Sequence, residues 1–341
     1  MNQYPKTQQL LVNLVHQHIV PGISYCLFDG EQTIRKVMGE AAWLPEEEPL
    51  RSGMQYDLAS LTKVVGTVPV IQQLMQRRLV SLDDPVTRFL PEFTDSRPTV
   101  RNLLTHTSGL HGYIPHRNQL GPQELKRAFI TTQRVDDSFN RQIRYADVNF
   151  LLLGWIIEQV TGESVAHAIR ELVTQPLGMA DTSYHPSAVN AVPTEKQAVR
   201  GVIRGQSHDP KGYILGDDCG CAGLFSTLAD LETFGRSLIE RQMNGQLSAS
   251  LIDMLFTDQT LIPGHHSRSL GWKLLHSPVD GHILISHTGF TGTWIILDRQ
   301  QDTGMVVLTN RVHPSAKNQA FLDARDHIFA TYLRENQQKR L

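Results

Sequence analysis

Ser60 and Lys63 stand three residues apart in LASLTK (58–63), at the head of a run that reads as helix. On a helix that spacing sets the two side chains on one face. A serine hydroxyl is a weak nucleophile near neutrality and needs a base within hydrogen-bond reach. Lysine serves if burial lowers its pKa, or it keeps its charge and acts through a second base. Backbone N–H groups at the helix start favour the negative charge that such chemistry develops. The pair fits a second reading equally: a serine that caps a helix beside a solvated lysine.

Two further groups have types suited to the same chemistry. Tyr145 and Asp147 lie in RYADVNFLLLG, just ahead of a helix start. A phenol becomes a base only when its pKa, near 10 unperturbed, comes down. A lysine charge about 4 Å away is worth roughly 4 kcal/mol at an effective dielectric near 20, enough to bring a phenol near neutrality. Asp147 opposes part of that by neutralising the lysine, and it also fits an N-cap for the helix that follows. In HTGFTGTW (287–294), His287, Thr288 and Gly289 precede a β-rich run. A glycine there lets a ligand approach the backbone, or it marks a tight bend before a strand.

These groups must be positioned by elements at both ends and in the middle of the chain. An N-terminal helix is expected over about 6–18 from its apolar spacing. GISYCLF and TIRKVMG flank DGEQ as a hairpin. HILISHTG, TGTWIILD and GMVVLTN are three β-rich runs, the last two separated by RQQDTG, and about 315–335 reads as a closing helix. Between them the spacing is mainly helical. VVGTVPVIQQLMQRRLV carries Pro69, expected to bend or interrupt its first turns. FLLLGWIIEQVTG begins after Asp147 and stops at Gly162. The terminal strands are expected to pair into one sheet with the central helices as a second layer and a cleft between. That gives one catalytic unit over 1–341. Its α/β part is expected at about 1–75 and 270–341, with a mostly helical part at about 76–269.

Composition narrows the function classes. The chain has 341 residues, with Lys plus Arg 32, Asp plus Glu 34 and a net charge of −2. That balance, without a Lys/Arg cluster, argues against a nucleic-acid partner. FLLLGWII is far shorter than the roughly 20 apolar residues that span a bilayer, so no membrane partner is expected. The start, MNQYPKTQQLLVNLVHQHIVPG, is a poor secretory signal. Cys26, Cys219 and Cys221 fit a reducing compartment, and the expected location is cytoplasmic. G-x-S-x-G, H-E-x-x-H, Walker and G-x-G-x-x-G patterns are all absent.

Taken in order, Ser-x-x-Lys, Tyr-x-Asp and His-Thr-Gly resemble the penicillin-recognising serine hydrolases: class C β-lactamases, D-alanyl-D-alanine peptidases and related esterases. VPGISYCLFDG, LDDPVTRFLPEF, VRNLLTHTSGL, GCAGLFSTLADLETFG, SLGWKL and VVLTNRVHP look like that family's connecting segments, so the resemblance runs over most of the chain. It implies an α+β fold, with an antiparallel sheet from both chain ends flanked by helices and a mostly helical middle. It implies Ser60 as the acylated nucleophile, with Lys63 and Tyr145 sharing its proton and later activating the deacylating water. His287, Thr288 and Gly289 line the cleft opposite, and the N–H groups of Ser60 and Phe290 form the oxyanion hole. No cofactor or metal is implied, and oligomeric state is not legible.

Two departures bear on substrate. The second motif of the family usually ends in asparagine, whereas Asp147 is acceptor-only when ionised. The third often begins with lysine, whereas His287 is often neutral at pH 7. The expected activity is hydrolysis through an acyl-enzyme of a small ester, amide, β-lactam or peptide-like substrate, esterase-like first. A D-amino-acid peptidase and a non-catalytic peptide- or protein-binding relative are the alternatives. Elsewhere, His106 is expected in a structural turn, and His208 and Asp209 in a loop at the cleft rim. Phe150 and Trp155 are expected on a packed helix face. Trp294 is a candidate for shaping the acyl pocket, and Cys219 with Cys221 lacks a fourth ligand for a metal site.

Overall fold

The computed structural model describes residues 4–264 and 267–337. Helix α1 (Pro5–His16) leads into the expected hairpin, β1 (Gly22–Asp29) and β2 (Gln32–Ala42), followed by a short β3 (Glu48–Pro49). The helical middle contributes α2 (Val68–Gln76), α3 (Val100–Thr105), α4 (Val148–Thr161), α5 (Pro210–Leu215) and α6 (Leu228–Ile239), among others. The chain closes through β4 (Lys273–His276), β5 (Ile283–Thr288), β6 (Trp294–Asp298), β7 (Thr303–Thr309) and α7 (Gln319–Gln337). The expected α+β sheet forms from both chain ends in the order β3-β2-β1-β7-β6-β5-β4.

Strand β1 pairs antiparallel with both β2 and β7, Cys26 lying opposite Arg35 on one side and Val306 on the other. Strands β6 and β7 are buried along their whole length, which explains why they read as unbroken apolar runs rather than as alternation. Edge strand β4, KLLH, is too short to show a pattern and has no counterpart in the sequence reading.

One face of the sheet is covered by α1 and α7. Glu335 of α7 accepts from the N–H groups of Lys6 and Thr7 at 2.9 Å each, satisfying orphan donors in the first turn of α1. Trp294 belongs to this layer, packed on Phe321 and Phe329 with no exposed surface. It therefore does not shape an acyl pocket: it is sealed between the sheet and α7 and is not among the residues that line the cleft. The other face packs against α6 and the helical middle in the main core.

Within the middle layer, α4 is buried from Val148 to Ile157, as an all-round apolar helix must be, and it stops at Gly162 with φ 75°. Phe150 and Trp155 are core residues, as expected. The irregularity expected around Pro69 is present as a change of winding. Lys63–Thr67 is wound as a π-helix and α2 continues it from Val68, so Pro69 lies inside a helical run that begins at Leu61, and the wider winding just before it accommodates its missing N–H.

Candidate active site

The segment before Ser60 is held by a buried carboxylate. Asp57 accepts from the N–H of Ala59 at 2.8 Å and from the N–H of His208 at 2.7 Å. Ala59 has φ 45°, a left-handed conformation uncommon outside glycine, and it turns the chain into the helix that starts beyond Ser60. The opposing turn, 289–293, is fastened to the same loop: Thr291 Oγ1 donates to the carbonyl of Asp57 at 2.6 Å, and Thr293 Oγ1 to that of Leu58 at 3.2 Å. A Cβ at Gly289 would collide with the Leu58 carbonyl and Thr293 Oγ1. The glycine is thus required for close backbone approach, and the group approaching is the chain's own loop before Ser60.

Lys63 has no exposed surface, and its ammonium meets three oxygens: Ser60 Oγ at 2.8 Å, the Cys221 carbonyl at 2.9 Å and Asp147 Oδ1 at 2.9 Å. Burial works against its charge, but Asp147 and then Tyr145 outweigh that and hold its pKa well above the ordinary lysine value. The ammonium has three N–H donors and three acceptors, so the lysine is a saturated cation. Of the two roles open to it, the charged one is the one this environment supports.

Asp147 is not an N-cap. Its backbone is already helical, it makes no cap hydrogen bond, and its second oxygen lies 3.2 Å from Lys211 Nζ. Burial resists its ionisation, but the charges of Lys63 and then Lys211 hold the carboxyl below the usual range. Two ammoniums buried at one place need a shared counter-ion more than the helix needs a cap.

Tyr145 is 45% exposed. It lies against His106 at 4.5 Å between centroids, with Lys63 Nζ 5.2 Å from its centre. His106 ends α3 in a left-handed turn, as expected, and does more besides: Asn149 Nδ2 donates to its Nδ1 at 3.0 Å, which leaves the proton on Nε2. Burial, then the charge of Arg268, pushes its pKa well below the usual value. His287 is likewise held neutral, by burial first and by Lys63 and Arg268 next, and its Nδ1–H donates to the Thr288 carbonyl at 3.0 Å. It carries no fixed charge toward a carboxylate.

A cation that the sequence reading missed lies nearby. Arg268 lines the same cleft, of about 570 Å³, together with Ser60, Tyr145, His287, Thr288 and Phe290. Its guanidinium lies 5.9 Å from the Tyr145 ring centre, its side chain makes a single long donation among the described residues, 3.4 Å to the Gly271 carbonyl, and its Nε is buried without an acceptor. Among the described residues it has no carboxylate partner. Nothing in SRSLGWKL marks it, because its relation to Tyr145 exists only across the cleft.

Phe290 is half exposed at the cleft mouth and clamped on both sides. Arg311 covers its ring at 4.6 Å and donates Nε to its carbonyl at 2.8 Å, while His208 stacks on it at 5.4 Å. His208 is therefore at the rim, as expected, and Asp209 caps α5 by accepting from the N–H groups of Lys211 and Gly212. The N–H groups of Ser60 and Phe290 have no acceptor among the described residues. Cys219 and Cys221 are buried with sulfurs 3.6 Å apart, and Cys221 serves the site through its carbonyl.

A model of the family described as Beta-lactamase matches residues 7–327. The chain belongs to the Beta-lactamase family. Members of the Beta-lactamase family are serine hydrolases. A curated relative, a putative D-alanyl-D-alanine carboxypeptidase of Escherichia coli (strain K12), is 27% identical over 84% of this chain and 77% of its own length. Among solved structures, a class C beta-lactamase superposes with a TM-score of 0.79 at 19% identity, over 96% of this chain and 94% of the other. EstCE1, a hydrolase with promiscuous acyltransferase activity, gives 0.74 at 21% identity, over 95% and 97%. The octameric penicillin-binding protein homologue from Pyrococcus abyssi gives 0.75 at 23%, over 98% and 77%. At these identities the structures establish the beta-lactamase fold. No helix among the described residues of this Beta-lactamase-family chain is long and apolar enough to cross a membrane.

Proposed function

We propose that this protein hydrolyses a small, carboxylate-bearing ester, amide or peptide-like substrate through an acyl-enzyme on Ser60. The observation that carries the reading is the buried Lys63 ammonium 2.8 Å from Ser60 Oγ. A serine oxygen that accepts from a desolvated cation sheds its proton at lower cost. Lys63 has no free lone pair in this state, so the proton goes to Tyr145 acting as a phenolate, which becomes the neutral phenol; its ring borders the same cation. After attack, the substrate oxyanion is received by the N–H groups of Ser60 and Phe290, and one such donor contributes about 3 to 4 kcal/mol. Tyr145 then protonates the leaving group and withdraws a proton from the water that releases the acyl chain.

Esterase-like turnover is the first reading, because both oxygens of Asp147 are engaged by lysines and neither is left for a substrate amide. The unpaired Arg268 favours the second reading, a peptidase acting beside a terminal carboxylate, and the curated name of the Escherichia coli relative points the same way. Intact mass after incubation with a fluorophosphonate and, separately, with a penicillin tests the proposal. An adduct that vanishes in Ser60→Ala supports it, and a lasting penicillin adduct raises the peptidase reading. A folded protein that takes neither reagent is a binding module instead.

A further inference from the structure

Lys211 is buried, is far from Ser60 in sequence, and reaches the site only through Asp147. Its Nζ lies 3.2 Å from Asp147 Oδ2 and 2.8 Å from Asp209 Oδ2, with 6% of its side chain exposed. The result is a row of alternating charges running inward from the rim: Asp209, Lys211, Asp147, Lys63, and then the Ser60 hydroxyl. Other groups face the row. Tyr145 borders Lys63, Cys221 faces both Lys63 and Lys211, and His111 and Arg117 line a small cavity of about 210 Å³ with Asp147 and Lys211. Lys63 and Lys211 pair with different oxygens of one carboxylate, so moving either moves the other's partner.

We propose that Lys211 is a positioning residue for the nucleophile: by taking Oδ2 of Asp147 it keeps that carboxylate ionised and its Oδ1 aimed at Lys63, which fixes the ammonium on Ser60 Oγ. Without Lys211, Asp147 would be drawn to Lys63 alone and would rotate to offer it both oxygens, pulling Nζ away from the hydroxyl. The two lysines thus hold the carboxylate from opposite sides, and Asp147 with Lys211 acts as a neutral unit. A neutral amide at 147 with no lysine at 211 satisfies the same balance, so the two positions are coupled.

This rests on the acyl-enzyme reading, and the test separates the two. The rate of fluorophosphonate labelling and the kcat and KM for a p-nitrophenyl ester are measured from pH 5 to 9 for wild type, Lys211→Met, Lys211→Arg, Asp147→Asn and the Asp147→Asn/Lys211→Met pair. Thermal unfolding is followed alongside. Lys211→Met is expected to slow labelling and lower kcat by roughly 10- to 100-fold with KM little changed, the scale of a misplaced reacting group. Its acid limb should move to higher pH, since Asp147 protonates more readily without one of its two cations. Lys211→Arg should recover most of the rate. In the Asp147→Asn background Lys211→Met should cost far less, or restore activity. Losses that multiply independently, or a Lys211→Met enzyme with wild-type rate and pH profile, overturn the role of Lys211 while leaving the hydrolase intact. If Lys211→Met is too unstable to assay, Lys211→Arg and the double variant decide alone: a double variant much slower than Asp147→Asn, or a Lys211→Arg enzyme that recovers little of the rate, overturns the proposal. A wild-type protein that is not labelled removes the acyl-enzyme reading and this inference with it.

Discussion

The carboxylate of Asp57 accepts the N–H of Ala59 at 2.8 Å, holding in place the left-handed residue that immediately precedes Ser60. Its other oxygen takes the N–H of His208, the ring that stacks on Phe290. One buried side chain thereby fastens the turn before Ser60 directly and, through His208, the ring packed on Phe290. The fastening is three-dimensional, because His208 and Phe290 arrive from distant parts of the chain.

Asp57→Asn is isosteric but exchanges one acceptor for a donor, leaving a buried N–H facing an NH2 group. An unsatisfied buried donor costs about 1 to 3 kcal/mol. Urea unfolding should show that loss, and turnover of an activated ester should fall by roughly 10-fold or more as the Ser60 loop loosens. Wild-type stability together with wild-type turnover would show that the carboxylate fastens nothing.

Arg268→Met should discriminate between substrates. A hydrogen bond to a charged group is worth about 1.5 to 3 kcal/mol, roughly a 10- to 100-fold change in affinity. KM for an ester or peptide bearing a carboxylate beside the scissile bond should rise by that factor, while a neutral p-nitrophenyl ester should be almost unaffected. An equal loss on both substrates would assign Arg268 to the architecture of the cleft rather than to recognition.

His287 links stability to pH. Its folded pKa lies well below the ordinary histidine value, through burial first and the charges of Lys63 and Arg268 next. Below about pH 6.5 the unfolded chain therefore takes up a proton that the folded protein refuses. Stability from this group is present above that pH and is lost as pH falls, by up to about 1.4 kcal/mol per pH unit until the folded pKa is reached. His106 and His313 are depressed as well, whereas His282, between Asp280 and Asp298, is raised and acts in the opposite sense. Comparing wild type with His287→Asn isolates the one group: urea unfolding at pH 7 and pH 5 should show the wild type losing more on acidification. Parallel losses would mean that His287 is protonated in the folded state.

The antiparallel sheet from both chain ends, the buried helix Val148–Thr161 and the order of the three motifs were all legible in the amino-acid sequence, because each rests on local pattern. Apolar spacing, turn residues and a three-residue interval between Ser60 and Lys63 are properties of neighbours along the chain. What those residues do to one another is decided elsewhere. Asp147 reads locally as a helix cap and becomes instead the counter-ion of two lysines, one of them, Lys211, unmarked by any motif. Arg268 is marked by nothing in its local sequence and is a partly buried cation lining the cleft. Trp294 follows the His-Thr-Gly turn closely in sequence yet is sealed between the sheet and α7. Electrostatic partnership depends on distance and burial between segments far apart in sequence. Only the packing of the sheet against the helical layer sets those distances, and with them which charges the protein keeps for itself and which it leaves for a substrate.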